Sequence, residues 1–126
     1  PIVLGVKASD SNATLVAELC DGWECGPDDS KSLDKLREGS RIYREAFEKA
    51  GRNPDNLIVR AHLPVFLNAD ASWFDMEKMF AQVPAMRAAG VTEFAAGVTG
   101  RLGGLFSSMD AIARYIDELA SFAAKF

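Results

Sequence analysis

The segment LIVRAHL at residues 57–63 decides the fold class, because it is short, mostly apolar and followed by Pro64. A run of this length between turn-forming residues is typical of a strand buried in a parallel sheet. Proline has no amide hydrogen to donate, so a bulge or turn is expected at Pro64. We therefore predict a strand over about 57–63.

Three further apolar runs of strand length lie elsewhere in the chain, and longer amphipathic stretches separate them. This alternation is typical of parallel βαβ construction. We predict an α/β fold of four βα units with parallel strands, in a single domain over residues 1–126. The predicted strands are about 2–7, 22–25, 57–63 and 92–98. The predicted helices are about 12–20, 33–50, 72–89 with a break near Pro84, and a last helix with a capping box within 107–110.

The composition excludes several classes of protein. The 126 residues carry a net charge of −4 with dispersed basic side chains, so nucleic acid is not an expected partner. No apolar run approaches the roughly 20 residues that cross a bilayer, and no signal-peptide pattern is present, so we expect a cytoplasmic protein. The spacing of Cys20 and Cys25 matches no zinc site, which favours reduced structural thiols and no bound metal.

Neighbouring strand residues point to opposite faces, so each predicted strand divides into two sets of side chains. One set is small or charged and includes Glu24, Arg60 and His62, which should pair with one another or face water or a ligand, because unpaired buried charges are costly. Glu93 belongs to this set but lies away from the carboxyl strand ends where βα barrels place their sites, so we interpret it as structural. The other set is predicted to pack against the helices and comprises Ile2, Leu4, Val6, Trp23, Cys25, Val59, Ala61, Leu63, Phe94, Ala96 and Val98.

Glu24, Arg60 and His62 are the candidate catalytic residues. A histidine can serve as general acid or base because an unperturbed imidazole titrates near pH 6.5, about the working pH of most enzymes. The alternative is an ion-pair cluster that only fills space, with His62 as a core histidine hydrogen-bonded to Glu24. The residue pattern leaves both interpretations open.

Two loops at the carboxyl strand ends are candidate anion or cofactor sites. In the first, Lys7 supplies charge and Ser9 a hydroxyl at the start of a helix. In the second, Gly100 and Gly103 let backbone amides turn toward an anion while Arg101 supplies charge. Flexible connection between elements is the alternative for both loops.

Several segments, in order, resemble the C-terminal half of the luciferase-like monooxygenase superfamily, which includes flavin-dependent monooxygenases and deazaflavin-coenzyme oxidoreductases. The segments are PIVLG at 1–5, AELC at 17–20 leading into DGW at 21–23, FEKAGRNPD at 47–55 and AAGVTEF at 88–94. The resemblance implies that the four strands correspond to the fifth to eighth strands of a TIM-type barrel. It also implies an oxidoreductase that binds FMN or a deazaflavin coenzyme.

A half barrel of four parallel strands would leave two open edges and an exposed interior, which proteins avoid. The simplest completion is a two-fold homodimer in which two copies regenerate eight strands. Two other functions stay open. The chain could be a noncatalytic module that binds a small molecule or anion, or a fragment that needs an N-terminal partner.

Overall fold

The computed structural model describes residues 1–97 and 104–126, which form a mixed α/β fold. The strands are β1 (Val3–Gly5), β2 (Gly22–Glu24), β3 (Ile58–His62) and β4 (Glu93–Ala95). The helices are α1 (Asp10–Leu19), α2 (Leu33–Lys49), α3 (Met76–Phe80), α4 (Val83–Ala88) and α5 (Met109–Ala123).

The four strands lie in one sheet in the order of the sequence, and every neighbouring pair is parallel. The register aligns Gly5 with Glu24, Glu24 with Arg60, and Arg60 with Glu93. One row of the sheet therefore carries three charged residues on adjacent strands. The predicted α/β class with parallel strands is confirmed.

The chain divides into two compact units, and the first comprises Pro1–His62 and Pro84–Ala95. Its core packs helices on one face of the sheet, with Trp23 and Val59 fully or almost fully buried. The Trp23 indole stacks on Tyr43 of α2 at 4.8 Å between ring centroids and donates from Nε1 to the Val6 carbonyl. Gly39 of α2 leaves the space that the indole occupies, since a side chain there would overlap its six-membered ring.

Arg52 connects α2 to the end of α1 within this unit. Its guanidinium donates to the Ala17 and Cys20 carbonyls at the end of α1, and it lies 4.2 Å above the Phe47 ring. The chain reaches this position because Gly51 takes a positive φ of 73° and ends α2, as predicted. Arg52 thus satisfies helix carbonyls that have no partner inside the helix.

The second unit comprises Leu63–Val83 and the described part of Ala96–Phe126. Aromatic side chains dominate its packing: Phe74 lies 4.4 Å from Tyr115, which is the buried residue of α5. Trp73 Nε1 donates to Glu118 at 2.8 Å and holds α5 against the segment before α3. None of the helices in the described ranges is long and apolar enough to span a membrane.

Several predicted elements are shorter or divided. The strand at 57–63 ends at His62, two residues before Pro64, so the expected interruption is present. The predicted break near Pro84 is confirmed, since the segment 72–89 forms α3 and α4 with the break just before Pro84, but the first of these helices begins at Met76 and not at 72. Pro84 is the second residue of α4, where a missing amide hydrogen costs nothing. Asp75 caps α3 through the amide of Lys78, which explains why the helix does not begin at 72.

Some predicted packing and capping is also wrong. Ile2 and Ala96 are exposed, because both lie outside the short strands β1 and β4. On α5, Tyr115 is buried but Ile116 is 56% exposed. Ser108 caps α5 by accepting from the Ala111 amide, but alanine at this position cannot complete a capping box.

Candidate functional site

A cleft of about 460 Å³ opens at the carboxyl ends of β1 and β2. Four of its lining residues carry polar chemistry: Lys7, Glu24, Asp29 and His62. Its volume lies within the range of about 300–1,000 Å³ that is usual for small-molecule sites. The cleft therefore has the size and position of a ligand site in a parallel α/β protein.

Glu24 and His62 meet at the floor of this cleft. Glu24 pairs in register with Arg60, so His62 lies two residues further along β3 and points to the same face. The His62 Nε2 atom is 3.3 Å from Glu24 Oε1. Both side chains are about 30% exposed, so they are accessible to a ligand from the cleft.

Arg60 lies beside this pair and is held by two carboxylates. Its Nε and Nη2 atoms donate to Glu93 Oε2 at 3.1 and 2.8 Å, and its Nη1 is 3.5 Å from Glu24 Oε2. The hydrogen bonds to Glu93 are the main reason that the pKa of Arg60 is raised, which keeps the guanidinium charged. The predicted pairing among the charged strand residues is confirmed, and Glu93 takes part in it.

Ser30 fixes the backbone around the cleft, and the sequence analysis did not single it out. Its buried hydroxyl donates to the Gly26 carbonyl at 2.9 Å, with the Cys25 carbonyl at 3.2 Å. It also accepts from the His62 amide at 3.1 Å. One hydroxyl therefore joins the ends of β2 and β3 where Glu24 and His62 meet.

The first predicted anion loop divides into two different roles. Lys7 is exposed, lines the cleft and is in ion-pair contact with no carboxylate of the described chain. Ser9 instead accepts from the Asn12 amide at 3.3 Å and caps α1. Lys7 is therefore available to a ligand, while the Ser9 oxygen already serves the helix.

The second predicted anion loop contains Gly100, Arg101 and Gly103, which lie outside the described residues, as does Val98 of the predicted last strand. Its proposed role stays a prediction from the sequence.

A second cleft of about 470 Å³ adjoins the β1–α1 loop and the start of α2, and it shares Lys7, Trp23 and Asp29 with the first. The Cys25 thiol lines it, is free and is almost completely buried. Burial raises the pKa of this thiol, and the hydrogen bond with Ser30 offsets part of the effect. Cys25 is therefore a protonated packing residue near neutral pH.

No cluster of three or more metal-ligating side chains occurs within residues 1–97 and 104–126. Gly5 leaves open space above β1, since no atom lies within 4 Å of the position that a side chain would take. Val6 and Pro27 supply apolar wall, and Lys7 supplies one positive charge. The cleft therefore combines open surface, apolar wall and one positive charge.

Neither a protein-family model nor a curated protein matches this chain in sequence comparison.

Proposed function

We propose that this chain is related to the luciferase-like oxidoreductases and binds a flavin or deazaflavin coenzyme in the cleft at the ends of β1 and β2. One observation carries the proposal: this cleft brings the exposed Lys7 together with the Glu24–His62 pair. In this assignment Lys7 binds the anionic part of the coenzyme, and the open surface over Gly5 accepts its ring system.

The Glu24–His62 pair supplies proton transfer. His62 Nε2 faces the carboxylate, which leaves Nδ1 as the nitrogen that exchanges a proton with a ligand. Glu24 orients the ring, because its Oε1 atom lies 3.3 Å from Nε2. A bound flavin or deazaflavin would supply hydride transfer. Arg60 does not touch the ligand in this scheme, because its donors are directed at Glu93 and Glu24.

Titration with FMN tests the binding step. His62 is the only histidine of the chain, so its ring gives one set of NMR signals that should move as FMN binds. Lys7→Gln should weaken FMN binding by about tenfold, since a charge-assisted hydrogen bond contributes about 1.5–3 kcal/mol. Lys49→Gln, on α2 and outside this cleft, is the matched control and should leave binding unchanged. Unmoved His62 signals at saturating FMN would contradict the proposal.

A noncatalytic binding module is the second candidate function. It is favoured because the Arg60 guanidinium is already paired with carboxylates of the chain. Arg60 is paired with both Glu24 and Glu93, so its guanidinium needs no ligand as a partner. Oxidation of NADPH by the FMN-loaded protein separates the two candidates. An oxidoreductase should oxidise NADPH faster than free FMN at the same concentration, and Glu24→Gln should reduce this difference in rate. A binding module should oxidise NADPH at the rate of free FMN.

We also propose that the sheet is half of a TIM-type barrel that a second copy completes. The sequential strand order and the packing of α1 and α2 on one face support this arrangement. The opposite face carries partly exposed charged side chains, and β1 and β4 each pair on one side within the described chain. The free Cys20 and Cys25 fit a reducing compartment, which supports the proposed cytoplasmic location.

A further inference from the structure

Glu93 ends a continuous series of side-chain contacts across three strands. Glu93 Oε2 accepts two hydrogen bonds from Arg60, at 3.1 and 2.8 Å. Arg60 Nη1 is 3.5 Å from Glu24 Oε2, and the other oxygen of Glu24 is 3.3 Å from His62 Nε2. The two oxygens of Glu24 are therefore divided between a guanidinium and an imidazole.

We propose that Glu93 is a positioning residue: by holding the Arg60 guanidinium, it leaves Glu24 Oε1 to His62 and so fixes the ring proton of His62 on Nε2. This inference rests on the proposed function, in which the Glu24–His62 pair moves a proton. It revises the sequence-based interpretation of Glu93 as structural, which rested on its distance from the carboxyl strand ends.

The unequal distances around Arg60 carry the inference. A guanidinium prefers to engage a carboxylate with two parallel hydrogen bonds. Arg60 directs two donors at Glu93 and keeps only one long contact with Glu24. Without the charge of Glu93, Arg60 should turn this pair of donors onto Glu24 and occupy both of its oxygens. His62 would then lose the carboxylate oxygen that lies 3.3 Å from Nε2 and favours a proton there.

The nitrogen signals of the single histidine test this directly. At about pH 9 a histidine ring is neutral, and the ¹⁵N shifts of Nδ1 and Nε2 give the ratio of its two tautomers. We expect the Nε2-protonated form to dominate in the parent. Glu93→Gln should lower the ratio of Nε2-protonated to Nδ1-protonated ring by about threefold or more, which corresponds to part of one hydrogen bond. Glu24→Ala should lower it at least as far.

Rescue separates positioning from a structural role. In the double variant Glu93→Gln/Arg60→Met, no guanidinium competes with His62 for the oxygens of Glu24. The tautomer ratio should therefore return toward the parent value. Glu93→Asp keeps the charge and should give a ratio between the parent and Glu93→Gln. Glu45→Gln is the matched control, because it removes a carboxylate that pairs with Arg41 on the exposed face of α2. The control should keep the parent ratio.

An unchanged ratio in Glu93→Gln, or no rescue in the double variant, would overturn the inference. If Glu93→Gln fails to fold, the double variant still decides, since a lowered ratio in it would contradict the inference. The measurement needs no ligand, so its failure is distinct from failure of FMN to bind. If FMN binds but the tautomer ratio does not change in Glu93→Gln, the proposed function is kept and Glu93 has no part in it.

Discussion

Two ionisable side chains, Cys25 and Tyr43, are buried behind the cleft. Burial is the main cause of the raised pKa of both groups, and it raises that of Tyr43 to about 12. The Tyr43 hydroxyl is also without a hydrogen-bond partner among the described residues. Both groups are therefore neutral at physiological pH and become more destabilising when base removes their protons.

Alkaline conditions should destabilise the fold through Tyr43. A group whose pKa is raised on folding binds its proton more tightly in the folded state. Its contribution to the free energy of unfolding is therefore complete at pH values below its pKa in the unfolded chain. For Tyr43 this contribution should be lost between about pH 10 and 12. Urea unfolding followed by circular dichroism at a series of pH values measures the loss, which amounts to about 2–3 kcal/mol.

Tyr43→Phe is the control for this prediction. Near neutral pH it should leave the free energy of unfolding unchanged or raise it by up to about 1 kcal/mol, because it removes an unpartnered buried hydroxyl. Above pH 10 the variant should lose less stability than the parent. Equal losses in both proteins would show that Tyr43 does not titrate from a buried state.

The Cys25 thiol should react slowly while the chain is folded. Its raised pKa and nearly complete burial both lower the concentration of accessible thiolate. In a Cys20→Ser background, labelling of Cys25 by a disulfide reagent at about pH 8 should be more than tenfold slower than in urea. Equal rates in the two conditions would contradict the burial of this thiol.

The candidate site could be predicted in part. Alternation along the strands placed Glu24, Arg60 and His62 on one face, and the structure confirms that they meet. The role of Glu93 could not be predicted, because it depends on the register of β3 against β4, which aligns Arg60 with Glu93. The bridging by Ser30 depends on how the chain turns after β2, and no local pattern specifies that path.

At the scale of elements, the packing of α2 on β2 controls the position of the site. Trp23 is stacked on Tyr43 and fills the space left by Gly39, while Glu24, the next residue of β2, points to the opposite face. Displacing the indole would therefore shift the strand that carries Glu24.

Gly39→Ala should destabilise the protein by about 1–2 kcal/mol, although alanine favours helices. The added methyl would overlap the Trp23 ring, which cannot move because it is buried and stacked. Thermal and urea unfolding measure the effect. Gly26→Ala is the control, since no atom lies within 4 Å of its added methyl, and it should stay within about 0.5 kcal/mol. Stability that rises in Gly39→Ala would contradict this packing.

The order and type of most elements followed from the sequence, but their lengths did not. Strong signals such as Gly51 after α2 were read correctly, because a positive φ favours glycine. In the segment 72–89 the break near Pro84 was predicted, but the helix was predicted to begin at 72 because Trp73 and Phe74 continue the helical spacing of its apolar residues. That spacing does not show that Asp75 caps a separate short helix.

At the scale of the whole molecule, the sheet has four parallel strands in sequential order, with α1 and α2 packed on one face. The other face carries Glu24, Arg60, His62 and Glu93, each roughly one-third exposed. Parallel sheets are usually covered on both faces, and unpaired edges invite further strand pairing. We therefore expect this face to become an interior when a second copy binds.

Native mass spectrometry of the purified chain tests the two-copy barrel most directly. Two copies related by a two-fold axis along the strands keep all eight strands parallel, so the predicted species is a dimer. The dimer should persist on dilution to micromolar concentration and should gain mass in steps of one FMN when FMN is added. A stable, folded species of one chain at all concentrations would contradict the two-copy barrel.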